Sequence, residues 1–172
     1  MKDKTFKEIQ EGFYSSHPDC PRPKEIEVLN LIMRREYAED IINGEKPIEL
    51  RAYSKHYHDR LIDLDVANYI LEHELPNDEL ELIDLFRPVR LIRFHNYTNS
   101  WHLDVECKQN NIIAVTRQNV EVLQKEYNCH EFDKMLADFE IKKDNIRPMF
   151  FYFVLGEVRE TTLRTITDKT SK

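Results

Sequence analysis

"NGEKPIELR", residues Asn43 to Arg51, ends a helix pattern and begins a strand pattern, and it sets a lysine, a glutamate and an arginine within six positions. Just upstream, Tyr37, Ala38, Ile41 and Ile42 recur at the spacing of one helical face, and Asn43 and Gly44 close it. Gly44 is expected to take a left-handed conformation there, because glycine reverses the chain after a helix at low strain. Pro47 can open the strand that follows. Its Ile48 and Leu50 are expected to point to the core, leaving Glu49 and Arg51 together on the other face. "IEVLNLIM" (Ile26 to Met33) precedes the helix and is β-branched and aliphatic, so the order is strand, helix, strand.

Working outward, residues 1–25 read as an N-terminal extension or arm in which prolines at 18, 21 and 23 prevent a regular helix. A helix is expected from near Asp65 to before Pro76, followed by a short element of uncertain type. "PVRLIRF" reads as a strand, and "WHLDVECK" alternates cleanly, with Trp101, Leu103, Val105 and Cys107 on one face. Asn110 and Asn111 then suggest a hairpin turn into "IIAV". Phe132, Met135, Leu136 and Phe139 fall at helical spacing, and "MFFYFVL" is apolar on both faces, as in a buried barrel strand. Several strands with interspersed short helices indicate an α+β fold with a small β-barrel and flanking helices.

A chain of 172 residues with 41% hydrophobic content can bury one proper core, and one domain is expected, with residues 159–172 as a C-terminal tail. The formal net charge of −7 argues against a protein that coats a long stretch of nucleic acid, although a small nucleotide pocket remains open to it. Arg87, Arg90 and Arg93 lie in a stretch without acids, so any basic surface is local. The apolar run Met149 to Leu155 is too short to span a bilayer, and "MKDKTFKEIQEGF" lacks a signal-peptide core, so a cytoplasmic protein without membrane association is expected. Cys20, Cys107 and Cys129 fit neither a disulfide framework nor a zinc motif and are expected to be reduced thiols.

"EYAEDIINGEKPIELR" resembles the signature of the ASCH domain family, whose PUA-like barrel carries a G-x-K-x-x-E-x-R motif. Gly44, Lys46, Glu49 and Arg51 match each of its positions, and the order of elements is similar over residues 26–158. The resemblance implies an association with RNA or a modified nucleoside. Some small members resemble one another as amidohydrolases of acetylcytidine, with a Lys, Thr and Glu catalytic set. Here the lysine maps to Lys46, "HEFDKMLADFE" maps the glutamate to Glu131, and Glu49 stands where those enzymes have threonine. That departure removes a hydroxyl nucleophile.

Chemically, Arg51 and Lys46 can donate to phosphate or base oxygens while Glu49 accepts from an exocyclic amine. Carboxylates so close to Lys46 tend to raise its pKa, which favours binding over lysine-base catalysis. Tyr53 is the better candidate to stack a base, since Trp101 begins an apolar strand face. The plainer alternative is that Glu49 and Arg51 form a surface ion pair. "KHYHDR" presents His56 and His58 on one side of an extended segment without a third zinc ligand, so a basic loop is expected there, and neither a metal nor a cofactor is expected. Three functions follow: a nucleoside, nucleotide or RNA-binding module, an amidohydrolase of acetylated cytidine, or a protein-interaction module using its acidic middle segment. A positive cleft around Lys46, Arg51 and the arginines at 87–93 separates the first; a buried Lys46 within hydrogen-bond reach of Glu131 separates the second.

Overall fold

The computed structural model describes residues 3–163, and they form two compact units, one made of residues 3–25 and 55–88, the other of 26–54 and 89–163. In chain order the elements are α1 (Phe6–Ser16), β1 (Ile26–Ile32), α2 (Arg35–Ile42), β2 (Ile48–Ala52), α3 (Lys55–Leu61) and α4 (Leu64–Glu72). They continue with α5 (Asn77–Leu80), β3 (Val89–His95), β4 (His102–Ala114), α6 (Arg117–Tyr127), α7 (Asp133–Lys142) and β5 (Met149–Thr161).

The second unit is built on a five-stranded sheet of order β1-β3-β4-β5-β2, in which only the β1–β3 pair is parallel. The sheet is mixed and is not closed into a barrel. The two edge strands are instead joined through a side chain: Arg51 of β2 donates from Nη2 to the carbonyl of Ile32 on β1 at 2.8 Å. Register shifts between Asp104 and Gln109 mark irregularities where β4 pairs with β5, the kind of local bulge that bends a long ladder. Asn110 and Asn111 do not form a turn. They pair with Phe153 and Tyr152 inside the ladder, and Asn110 Oδ1 accepts from the Val89 backbone at 2.9 Å. The β3–β4 reversal lies at "NYTNS" instead, where Asn99 has φ of 54° and Asn96 is hydrogen-bonded to Ser100.

Ile48 and Leu50 are buried as their alternation requires, in a cluster with Val120, Leu123, Phe132 and Leu136 from α6 and the α7 segment. β5 extends to Thr161, so the strand takes in residues first read as tail; the last residues of that tail lie outside the described ones.

The first unit departs most from the sequence reading. Residues 6–16 are helical because the three prolines all fall after the helix ends, while Thr5 Oγ1 caps it by accepting from Glu8 N. Phe13 and Tyr14 of α1 pack with Val66, Tyr69 and Ile83 in an apolar cluster, so this segment is not a free arm and the unit has its own core. "KHYHDR" is also helical rather than extended, and His56 and His58, two positions apart on α3, do not share a face.

Asp63 fastens the two pieces of this unit together. Its buried carboxylate accepts from Val66 N at 3.1 Å, capping α4, and from Lys24 N at 2.9 Å. Burial works to raise its pKa, but the backbone donors outweigh burial and hold the carboxyl below its ordinary value. Its contribution is therefore full above the unfolded-state carboxyl value near pH ~4 and is lost as pH falls through the depressed folded value. Asp63→Ala is expected to cost about 1–3 kcal/mol at neutral pH, and Asp63→Asn to flatten the acid limb of stability against pH. Denaturant titrations across acid and neutral pH check both.

Candidate functional site

The helix-to-strand joint is built by the backbone first. Gly44 has φ of +78°, as expected from its place after α2. Its N–H bonds to Ile41 O at 3.1 Å and that of Glu45 to Asp40 O at 2.9 Å, the paired bonds that close a helix through a left-handed residue. Lys46 N also bonds to Asp40 O, at 3.2 Å, which fixes where the lysine side chain leaves the chain.

From there Lys46 runs inward. Its side chain is only 13% exposed, and Nζ lies 3.0 Å from Glu131 Oε1 and 3.7 Å from Glu49 Oε1. The ammonium also stands 5.9 Å from the centre of the Tyr37 ring. Burial works to lower its pKa, but the charge of Glu49, with the hydrogen bond and charge of Glu131, prevails, and Lys46 is held above the ordinary lysine value. It is an ammonium at neutral pH, a donor and not a base.

Glu49 is the surprise of the strand. It was expected opposite the core, yet its side chain is 7% exposed, so the surface ion-pair reading does not hold for it. Its Oε1 accepts from Leu50 N at 3.0 Å, and its Oε2 lies 3.4 Å from Arg51 Nη2. Arg51 is 19% exposed and divides its guanidinium between this carboxylate and the Ile32 carbonyl. The group therefore reads Glu131, Lys46, Glu49, Arg51 in sequence of contact, two acids and two cations. Such balanced charge makes no positive cleft.

Glu131 is the accessible end, 53% exposed. It sits in the turn between α6 and α7, not on the helix that the sequence suggested. The left-handed Asn128 ends α6, and His130 and Gln124 hold Asp133 at the start of α7, so Glu131 projects from a pinned turn. Cys129, buried in the same turn, has its thiol pushed up by burial, which leaves no thiolate nucleophile.

The other candidates fall elsewhere. Tyr53 is half exposed, with its ring stacked 5.6 Å from Phe151. Trp101 is buried, as its strand pattern suggested, and with Ile32, Arg34, Arg35 and Tyr97 it lines a cavity of about 700 Å³. Two of the arginines at 87–93 are engaged within their own units. Arg87 donates to the carbonyls of Lys24 and Glu25, and Arg93 makes a two-pronged pair with Asp104 at 2.7 Å. Arg34 and Arg35, on the turn into α2, are cations that the sequence reading passed over; their adjacency just before the helix pattern was the available signal.

No protein-family model matches this chain, and neither does any curated protein or solved structure. Among the described residues, no helix is long and apolar enough to cross a membrane.

Proposed function

We propose that the chain is a nucleoside- or RNA-binding module of the ASCH type, and that it reads the edge of a nucleobase with the Lys46–Glu131 pair. The single observation that carries this reading is the 3.0 Å contact between a nearly buried ammonium and a half-exposed carboxylate. Such a pair offers one donor and one acceptor side by side, the pattern that a cytosine or adenine edge complements with a ring acceptor and an exocyclic amine. Arg51 acts one layer back, by holding Glu49, which in turn places Lys46. The cavity at Trp101 is walled in part by Ile32, the residue whose carbonyl Arg51 engages, so a stacking surface adjoins the same group.

The test is calorimetric titration of cytidine, acetylcytidine and a short single-stranded RNA against wild type and Glu131→Gln. Because Glu131 is half exposed, its variant should fold normally and bind at least about tenfold more weakly, a loss of about 1.4 kcal/mol. Equal affinities would remove Glu131 from the site, and no binding by any of the three would end the proposal.

The same contact is also the feature that marks the second function, hydrolysis of the acetyl amide of acetylated cytidine, since Lys46 is nearly buried and within hydrogen-bond reach of Glu131. The positive cleft that marks the first is not formed by the charge-balanced motif. Glu131 would take a proton from water as its oxygen attacks the acetyl carbon, and the Lys46 ammonium would donate to the developing oxyanion. Collapse breaks the carbon–nitrogen bond, the proton passes to the departing amine, and cytidine and acetate are released. No threonine is required on this route. Acetate release by wild type, lost in Glu131→Gln, supports it; its absence leaves the binding role alone.

A further inference from the structure

We infer that His102, Asp104 and Glu160 form a site for a zinc-class divalent cation that ties β4 to β5. The three side chains come from the pairing itself: His102 and Asp104 are two apart on β4 and share a face, and Asp104 is the register partner of Glu160 on β5. One ligand atom from each lies within 4.8 Å of the other two. His102 Nε2 is buried without a hydrogen-bond partner, and the nearest carboxylate oxygen in reach, Glu160 Oε1, stands 3.5 Å away, too far for a good hydrogen bond. A buried imidazole nitrogen left in that condition suits a metal better than it suits a neutral packing role.

Asp104 is prepared for the task. It is buried and held in place by a two-pronged hydrogen bond from Arg93, at 2.7 Å to each oxygen. The guanidinium occupies one lone pair on each oxygen, and a carboxylate retains further acceptor sites. Glu160, 68% exposed, can swing to close the remaining distance to the roughly 2.0–2.2 Å that zinc requires of nitrogen and oxygen ligands. The imidazole selects a zinc-class ion over calcium or magnesium, which prefer oxygen alone. The carboxylates of Asp104 and Glu160 outnumber the Arg93 guanidinium beside them, which favours a cation.

The site is independent of the Lys46–Glu131 reading, and its test does not use nucleosides. Zinc titration by calorimetry on the full chain should give one ion bound per chain. Cobalt substitution should give visible bands of nitrogen and oxygen coordination without thiolate charge transfer from the cysteines. Glu160→Gln, on an exposed side chain that should not disturb folding, should weaken the ion at least about tenfold, and so should His102→Ala. Zinc should raise the melting temperature of wild type but not of either variant. Absence of stoichiometric zinc in the wild type, or wild-type affinity in both variants, would overturn the assignment and leave His102 and Glu160 as a loose polar contact.

Discussion

Arg51→Ala is expected to lower the folding stability of the sheet unit by about 3 kcal/mol, because it strips a buried carboxylate of a cationic partner and breaks the link between the two edge strands. If Arg51 donated to a ligand instead, as its place in the motif suggests, the same substitution would weaken binding at least about tenfold and leave stability intact. The guanidinium is turned toward Ile32 O and Glu49, so its loss is felt first by the fold. Arg51→Lys retains charge but lacks the planar fork that serves two acceptors, and should fall between wild type and alanine. Denaturant melts with a probe in β5 read this directly. A change below about 0.5 kcal/mol, the ordinary range for surface substitutions, would show that Arg51 is peripheral to the fold.

The second large effect is expected at Lys46. Lys46→Met should abolish most nucleoside or RNA binding, a loss of about 2–5 kcal/mol, because it removes a charged donor from a hydrogen-bonded pair. It should also destabilise the unit, since the buried Glu49 loses a cationic neighbour and keeps Arg51 at 3.4 Å. These two consequences can be separated. Adding Glu49→Leu replaces the buried charge with an apolar side chain and should recover part of the stability, as buried ion pairs often tolerate apolar replacement. Binding should remain lost. Recovery of both together would mean that Lys46 acts only through folding.

How far the sequence carried can be judged at particular residues. The α2–Gly44–β2 joint was legible because periodicity, a helix stop and strand alternation all agree over a few neighbouring residues. The burial of Glu49 was not, since alternation says which face a residue takes and nothing of what covers that face. Asn110 and Asn111 carry turn chemistry, but their side-chain acceptors are used by Val89 N and Ile112 N within the ladder. Helix α1 is obscured in the sequence by the prolines at 18, 21 and 23, which lie beyond its end and do not act on residues 6–16. Likewise α6 went unread, although Thr116 caps it and Val120 and Leu123 mark its buried face. The chain's division into two units was hidden because the first of them is assembled from separated stretches, which no local pattern can announce.

That discontinuity also orders assembly as the chain leaves the ribosome. Both stretches of the helical unit have been synthesised once Pro88 has emerged, so Phe13 and Tyr14 can meet Val66, Tyr69 and Ile83 at that point. The sheet must wait far longer. β2 is made early, yet its hydrogen-bonding neighbour is β5, the last strand among the described residues. Until Met149 to Thr161 appear, Ile48 and Leu50 lack the strand against which they are finally laid. The G-x-K-x-x-E-x-R segment is thus among the first parts of the sheet unit to be translated and among the last to be locked in place. During that interval its apolar residues are exposed to whatever chaperone attends the nascent chain.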